Sequence, residues 1–297
     1  MDARNVLVTG ATGKTGSRVA AGLRQRGSTV RAASRAAEPP FDWGDRSTWA
    51  AALTDVDAVY LATPITAQVR AGEQGEVGFG AAAVAEFVEL AVSRGVRRLV
   101  LLSGRSARAQ PVHPHMVALE QPVRNSGVEW TILSPGVFHQ NFLTGPLRDG
   151  IMAGRVERVE ADLDPVLDFT DVTDIADVAV EVLTTPGHGG AVYELSGPRA
   201  LSHREAVGII GRTLGRDISY ERITLDEWVV RARERGLGNE SIEFLTVSVR
   251  GHAGGAYSTP FDGIQRVLGR APRSFESFVR EAVATGAWAS RPAMSPG

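Results

Sequence analysis

The residues best suited to chemistry stand at the start of this 297-residue chain, in Thr9-Gly10-Ala11-Thr12-Gly13-Lys14-Thr15-Gly16. Three glycines recur at every third position between the apolar run Val6-Leu7-Val8 and a stretch of helical apolar spacing, Ser17 to Leu23. In a strand–turn–helix unit each plays a distinct part. Gly10 makes the tight turn, Gly13 lets the backbone approach a pyrophosphate, and Gly16 lets the helix pack closely. The helix start then offers unpaired N–H groups and a partial positive charge to phosphates. Thr12, Lys14 and Thr15 add hydroxyl and ammonium donors to the same loop. A second group, Ser34-Arg35, stands ~20 residues on, where an NAD site places an Asp or Glu on the ribose 2′-hydroxyl. No acid occurs there before Glu38. A carboxylate would repel a 2′-phosphate, whereas a guanidinium and a hydroxyl bind it, so NADP(H) is favoured over NAD(H).

Other candidates sit at strand ends or in loops. Asp42 can accept from an adenine amino group or form a turn. Thr63-Pro64 and Ser103 close the apolar runs 58–62 and 98–102, and ligands of open α/β sheets sit at the carboxyl ends of strands. Pro135 and Phe138 follow the run 129–133, with Phe138 placed either beside a nicotinamide or in the core. Asn141, next to Gln140, and Tyr257, after Gly254-Gly255, are candidates to touch a substrate; Asn141 and Gln140 serve equally well to tie down their loop. As proton donors the chain offers His113, His115 and Glu120. Histidine titrates near neutrality and can protonate a developing oxyanion. The alternatives are a polar loop for the two histidines and a solvated helix position for Glu120. The histidine pair lacks a clear third ligand, so no metal site is read. No cysteine is present, which excludes thiol nucleophiles, disulfides and cysteine–metal sites.

The elements that must position these groups alternate along the chain. Strands are expected at 6–8, 28–34, briefly at 41–43, then at 58–62, 98–102, 129–133 and 191–195, with helices at 17–23, 45–53 and 81–94 between them. Gly95 suits the C-terminal cap of the last of these. Segment 65–80 reads as a loop beside the cofactor, and 137–143 as a short helix or turn. Pro122 should break or restart a helix within 105–126. A helix from 175 to 184 is capped by Thr173 or Asp174, and one ending at 214 by Ser202, with Glu205 at capping-box spacing. A strand at 218–223 and helices at 225–235, 241–250 and 275–285 follow. This rhythm predicts an α/β fold, a Rossmann-like doubly wound parallel sheet with a smaller, mostly helical C-terminal substrate lobe. The division is 1–150 for the nucleotide domain, rejoined by a strand and helix near 171–198, and 151–297 for the lobe, which shows no sheet-building rhythm of its own.

Composition narrows the partners. A net charge of −2 with no basic stripe argues against nucleic acid. No apolar run approaches the ~18 residues of a membrane span, and the chain starts on a strand, so a cytoplasmic protein acting on a small molecule is expected. The sequence carries no sign of its oligomeric state.

The motifs together resemble the NmrA-like atypical short-chain dehydrogenases/reductases. The resemblance rests on Thr9 to Gly16, Ala33-Ser34-Arg35, Phe41-Asp42-Trp43, Ser126 to Pro135, Gln140-Asn141-Phe142, Asp171 to Ala179, Tyr193 to Pro198 and Gly269 to Arg273, nearly the whole length. The Gly-Lys-Thr loop variant and the Phe-Asp-Trp element are similar to the festuclavine-synthase and ergot-alkaloid reductase branch. The family also includes NADPH:quinone reductases and catalytically silent NADP(H) sensors. The resemblance implies cofactor contacts at Gly10, Thr12, Gly13, Thr15, Gly16, Arg35, Asp42, Thr63, Ser103, Pro135 and Phe138, and it points to secondary metabolism.

One departure decides the chemistry. Typical members of the wider superfamily protonate the substrate oxygen with a Tyr-x-x-x-Lys pair, yet no tyrosine lies between Tyr60 and Tyr193, and Lys14 is the chain's only lysine. An ordinary ketone yields a basic alkoxide and needs a positioned acid. An iminium needs none, and a quinone yields a stabilised aryloxide. The expectation is an NADPH-dependent oxidoreductase reducing a quinone or an imine/iminium. The alternatives are a non-enzymatic NADP(H)-sensing regulator, or an isomerase or cyclase on the same fold. Arg35→Ala should weaken NADPH binding at least about tenfold and NADH binding far less, since a charge-assisted hydrogen bond contributes ~1.5–3 kcal/mol. Fluorescence titration of both cofactors checks this, and equal losses would remove Arg35 from the 2′-phosphate.

Overall fold

A computed structural model describes residues 5–63, 79–108, 114–160, 164–234 and 236–289. Its centre is a six-stranded sheet in which every neighbouring pair is parallel. The strands are β1 (Asn5–Val8), β2 (Thr29–Ala32), β3 (Ala58–Leu61), β4 (Arg98–Leu102), β5 (Glu129–Pro135) and, after two short strands elsewhere, β8 (Ala191–Leu195). Their order is β2-β1-β3-β4-β5-β8. The chain leaves β1 towards one edge and returns on the other side of it, so the order reverses between β1 and β3. That crevice, outside the carboxyl ends, is where an open sheet of this kind takes a ligand.

Side chains alternate across the sheet with period two, and both faces are buried. Leu7, Val59, Leu61, Leu99, Leu101 and Ile132 face helices Phe79–Ser93 and Pro114–Arg124. Val6, Val8, Tyr60, Val100 and Leu133 face helices Gly16–Gln25, Val172–Thr184 and Gly263–Leu268. Gly22 makes the close approach of two of these helices possible: a Cβ there would lie 2.9 Å from Val180 Cγ2. Buried Arg98 donates to the Leu183 carbonyl (2.7 Å) and pairs with Glu129 (3.0 Å), so a cation satisfies the C-terminal end of helix Val172–Thr184.

Several expectations need correction. Segment 41–43 is no strand: Asp42 forms an isolated bridge with Asp45, while Phe41 and Trp43 pack edge-on against Phe87, and Trp43 against Trp49. Ring packing outweighed pairing, and β5 is therefore the fifth strand. Pro122 does not interrupt its helix, which runs on to Arg124. It sits in the last turn, where Met116, Leu119 and Val123 already fix the buried face. Asp171, rather than Thr173 or Asp174, caps helix Val172–Thr184, accepting from Thr173 N at 2.8 Å. Ser202 caps helix His203–Leu214 as expected. The C-terminal half does build sheet: β6 (Arg155–Val159) pairs parallel with β10 (Ser219–Ile223), and β7 (Val166–Leu167) antiparallel with β9 (Leu201–Ser202). Each is a two-stranded ribbon supported by a third apolar cluster around Phe142, Phe169 and Phe275. Among the described residues no helix is long and apolar enough to cross a membrane.

A buried ion pair ties the C-terminal elements to the sheet. Arg105, just beyond β4, bonds the wholly buried Asp168 and donates to the carbonyls of Ala256 (2.8 Å) and Thr259 (3.2 Å). Ser196 Oγ donates to Asp168 Oδ2 (2.7 Å). Burial pushes the Asp168 carboxyl up to about 6 against the pull of Arg105 and Ser196. A carboxyl whose pKa rises on folding contributes stability that is complete below its unfolded value of ~3.9 and lost as pH climbs through the folded value. The wild type should therefore lose stability relative to Asp168→Asn between pH 4.5 and 7.5, read from urea unfolding at both pH values. At pH 7.5, Arg105→Met should cost about 3–5 kcal/mol by stranding a buried carboxylate.

Candidate active site

The glycine loop closes on itself through backbone contact. Gly10 has φ of +61°, and a Cβ on Gly16 would lie 2.2 Å from the Gly10 carbonyl oxygen, so no side chain fits. Gly13 N donates to that same oxygen (2.8 Å). Thr9 holds the base of the turn: its Oγ1 accepts from Ala62 N (2.8 Å), and its hydroxyl lies 3.1 Å from the carbonyls of Tyr60 and Ala62. Helix Gly16–Gln25 begins there with no side-chain cap and no acidic residue in its first turn. Gly10, Thr12 and Gly13 are exposed, whereas Thr15 is buried. An uncapped helix start below an exposed glycine turn fits the pyrophosphate of a dinucleotide, with backbone N–H groups as donors.

The other expected cofactor residues distribute along the same edge. Ser34 and Arg35 follow β2, which pairs with β1, and Arg35 is exposed. Asp42 uses Oδ1 to accept from Gly44 N (2.9 Å), which makes it a turn former. Thr63 ends the described part of the chain beyond β3; Pro64 and residues 65–78 of the loop expected at 65–80 lie outside the described residues, while 79–80 already belong to helix Phe79–Ser93. Pro135 ends β5. Phe138 is half-buried, packs on the apolar cluster beneath the sheet, and bridges Thr170. Ser103 is buried, and its hydroxyl donates to Glu120 (2.6 Å).

Glu120 is no proton donor. Burial raises its pKa, but Ser103, Arg108 (2.6 Å) and Arg124 (2.9 Å) outweigh it and hold the carboxylate below the ordinary range. A carboxylate fixed by two guanidiniums carries no proton at neutral pH. His113 lies outside the described residues, and so does the side chain of His115, on the first turn of helix Pro114–Arg124. Tyr257 is 7% exposed, with its ring 5.5 Å from the Arg105 guanidinium and 5.0 Å from His252, so it packs in the C-terminal core and lines no open surface.

Lys14 takes a role that the sequence did not disclose. Its Nζ donates to Asn141 Oδ1 (3.0 Å), to the Gln140 carbonyl (3.3 Å) and to Thr144 Oγ1 (3.3 Å). The glycine loop is thereby fastened to the 3-10 turn His139–Leu143 that follows β5. An ammonium only donates, so Asn141 must turn its oxygen towards Lys14 and its NH2 away. Gln140 is the tie: its Nε2 donates to Asp171 Oδ1 (3.1 Å) and its Oε1 accepts from Val172 N (3.1 Å). Burial would raise the Asp171 pKa, but the His139 ring and Thr173 N hold it well below the usual range. The turn is thus anchored to an ionised helix cap. Of the two readings the sequence left for Gln140, touching a substrate or tying down its loop, these bonds are the tie; Gly22 was legible only as a glycine inside a helical run, a mark of close approach.

The profile of a family described as NAD(P)H-binding matches residues 10–186, from the glycine turn to just past helix Val172–Thr184. The chain belongs to that family. It is 32% identical over 291 residues to (4-alkanoyl-5-oxo-2,5-dihydrofuran-3-yl)methyl phosphate reductase of Streptomyces griseus, covering 93% of this chain and 97% of the relative. To agroclavine dehydrogenase of Claviceps fusiformis it is 28% identical over 296 residues, covering 93% and 96%. The NADPH complex of an Escherichia coli quinone oxidoreductase shares the fold, with a TM-score of 0.74 at 20% identity over 94% of this chain and 99% of the other. Gly16→Ala is expected to weaken NADPH binding at least about tenfold, because its methyl group would overlap a backbone oxygen that cannot yield. Gly238→Ala, where a Cβ meets nothing within 4 Å and φ is −69°, is the control for lost glycine alone, with binding measured by fluorescence titration and folding by circular dichroism.

Proposed function

We propose that the chain is an NADPH-dependent reductase of a small electron-poor acceptor, a quinone or an imine/iminium. The observation that carries this is the fate of Lys14: the only lysine is bonded to Asn141 beside the glycine loop, so a tyrosine–lysine acid pair has no lysine to use. The four tyrosines are placed elsewhere. Tyr60 is wholly buried, Tyr193 shares a hydrogen bond with His188 (2.8 Å), Tyr220 donates to Glu160, and Tyr257 lies against Arg105. When bound, the nicotinamide supplies a hydride, and an acceptor needing no enzymic proton is the one this residue set can serve.

The chain's own groups then bind and orient. The glycine turn and the helix Gly16–Gln25 would hold the pyrophosphate, and Ser34 with Arg35 the 2′-phosphate. Thr63, Ser103, Pro135 and Phe138 would border the nicotinamide end, Phe138 by packing. Lys14 fixes the Asn141 amide with its NH2 presented, so Asn141 Nδ2 would donate to an acceptor oxygen as negative charge develops there. The Streptomyces griseus relative is named for an alkanoyl-oxo-dihydrofuran, a ring with conjugated carbonyls, which supports the electron-poor class and adds enones to the acceptors to be tried.

Spectrophotometric NADPH oxidation over quinones, cyclic iminium ions and enones, with NADH in parallel, tests the reading. NADPH should be consumed faster than NADH with at least one class. Asn141→Leu should lower kcat/KM for a quinone by about tenfold, the worth of a hydrogen bond to a charged oxygen, and change an iminium reaction less. NADPH binding without consumption by any acceptor would favour the sensor instead.

A further inference from the structure

The C-terminal elements bury a polar cluster that the reductase reading does not use. His203, first residue of helix His203–Leu214, is 2% exposed, yet neither ring nitrogen has a hydrogen-bond partner among the described residues. Glu160, just past β6, is 3% exposed; Oε1 accepts from Tyr220 of β10, while Oε2 has no partner. Arg158, on the same face of β6 two residues earlier, has a buried Nε likewise without an acceptor. His203 Nδ1 stands 3.8 Å from Glu160 Oε1. Buried polar groups in native proteins are almost always paired, and an unpaired buried guanidinium N–H is costly. Four orphaned atoms on three neighbouring residues therefore point to a missing polar partner.

Its chemistry follows from the donor count. Burial keeps the His203 ring neutral, so it presents one N–H and one acceptor nitrogen. Arg158 presents only donors, and burial pushes the Glu160 carboxyl towards its protonated, donating form. Helix His203–Leu214 starts here as well and adds partial positive charge. Donors and positive charge exceed acceptors, which suits an oxyanion. A cation does not fit, and among the described residues no group of three or more His, Asp or Glu could hold a metal ion.

The cluster also adjoins the site. The His203 ring lies 6.0 Å from Phe142 and 5.4 Å from Phe169, and Phe142 is the neighbour of Asn141, which Lys14 holds. We propose that Arg158, His203 and Glu160 form an oxyanion subsite that takes a carboxylate or phosphate group carried by the acceptor. This rests on the reductase reading for what the rest of the acceptor does, but the binding itself does not.

Calorimetric titration of the full chain with NADPH present, using inorganic phosphate and acetate at ionic strength fixed with chloride, tests it. At least one anion should bind saturably. Arg158→Met should weaken that binding at least about tenfold, the loss expected for a charge-assisted bond, whereas Arg231→Met, on the exposed ion pair with Glu157 (3.0 Å), should leave it within about twofold. His203→Gln keeps a polar group in the same space and should weaken binding in the same direction, so the result survives if Arg158→Met fails to fold by circular dichroism. Phosphate should compete with a carboxylate-bearing quinone and leave the KM of its uncharged parent unchanged. No saturable binding, or binding indifferent to both variants, means that water fills the cluster and overturns the proposal. Binding that fails to compete with the carboxylated quinone overturns the substrate role. If no acceptor consumes NADPH while anion binding still depends on Arg158, the reductase reading fails and the anion subsite stands.

Discussion

The structure depends on a steric constraint: the start of helix Gly16–Gln25 lies so close to the Gly10 carbonyl that position 16 has no room for a methyl group. That approach seats the uncapped helix start under the first turn, beyond the carboxyl end of β1, where its first N–H groups have no intrahelical acceptor. Thr9 reinforces it by stitching the end of β1 to the end of β3, the two strands between which the order reverses. The uncapped helix start thus lies beside the crevice between β1 and β3. Gly22, two turns further on, sets how closely the same helix lies on helix Val172–Thr184.

A second tier of polar contacts carries this geometry outward. Lys14 spans from the glycine loop to Asn141 and Thr144, and Gln140 spans from the same turn to the cap of helix Val172–Thr184. The buried Asp171 carboxylate joins that cap to Arg273 (3.5 Å), and Asp174 accepts from Arg273 N (2.7 Å) and forms an ion pair with Arg270 (2.7 Å). The segment 270–273, remote in sequence, therefore braces the helix to which the turn His139–Leu143 is anchored. Where the wider superfamily spends its lysine on acid catalysis, this chain spends it on position.

The C-terminal elements divide into a tie and a cluster. Arg105 and Asp168 pair through Asp168 Oδ2, with help from Ser196, Ala256 and Thr259, and act as a brace in which Asp168 Oδ1 has no hydrogen-bond partner among the described residues. Arg158, Glu160 and His203 do not satisfy one another, although their orphaned atoms are buried as well. Unpaired polar groups are costly inside a protein, and four of them gather on Arg158, Glu160 and His203 where the Arg105–Asp168 pair leaves one.

The sequence by itself determined the sheet, the glycine turn and the family, because each is written in local terms: period-two apolar runs, glycines at fixed spacing, and Ser202 with Glu205 at a helix start. It also determined what the chain lacks, since residue counts need no coordinates. Tertiary structure decided the rest, where the partner of a side chain lies far along the chain. Lys14 meets Asn141 across 127 positions. The sequence left Glu120 as an acid or a solvated residue, and packing against Arg108, Arg124 and Ser103 made it a fixed carboxylate. Phe41 and Trp43 read as strand residues until Trp49 and Phe87 claimed their rings. β6 stayed hidden because charged residues punctuate it, and its partner β10 lies some sixty residues away. Local periodicity reports which face of an element is buried, but only the assembled chain decides which polar groups are buried together.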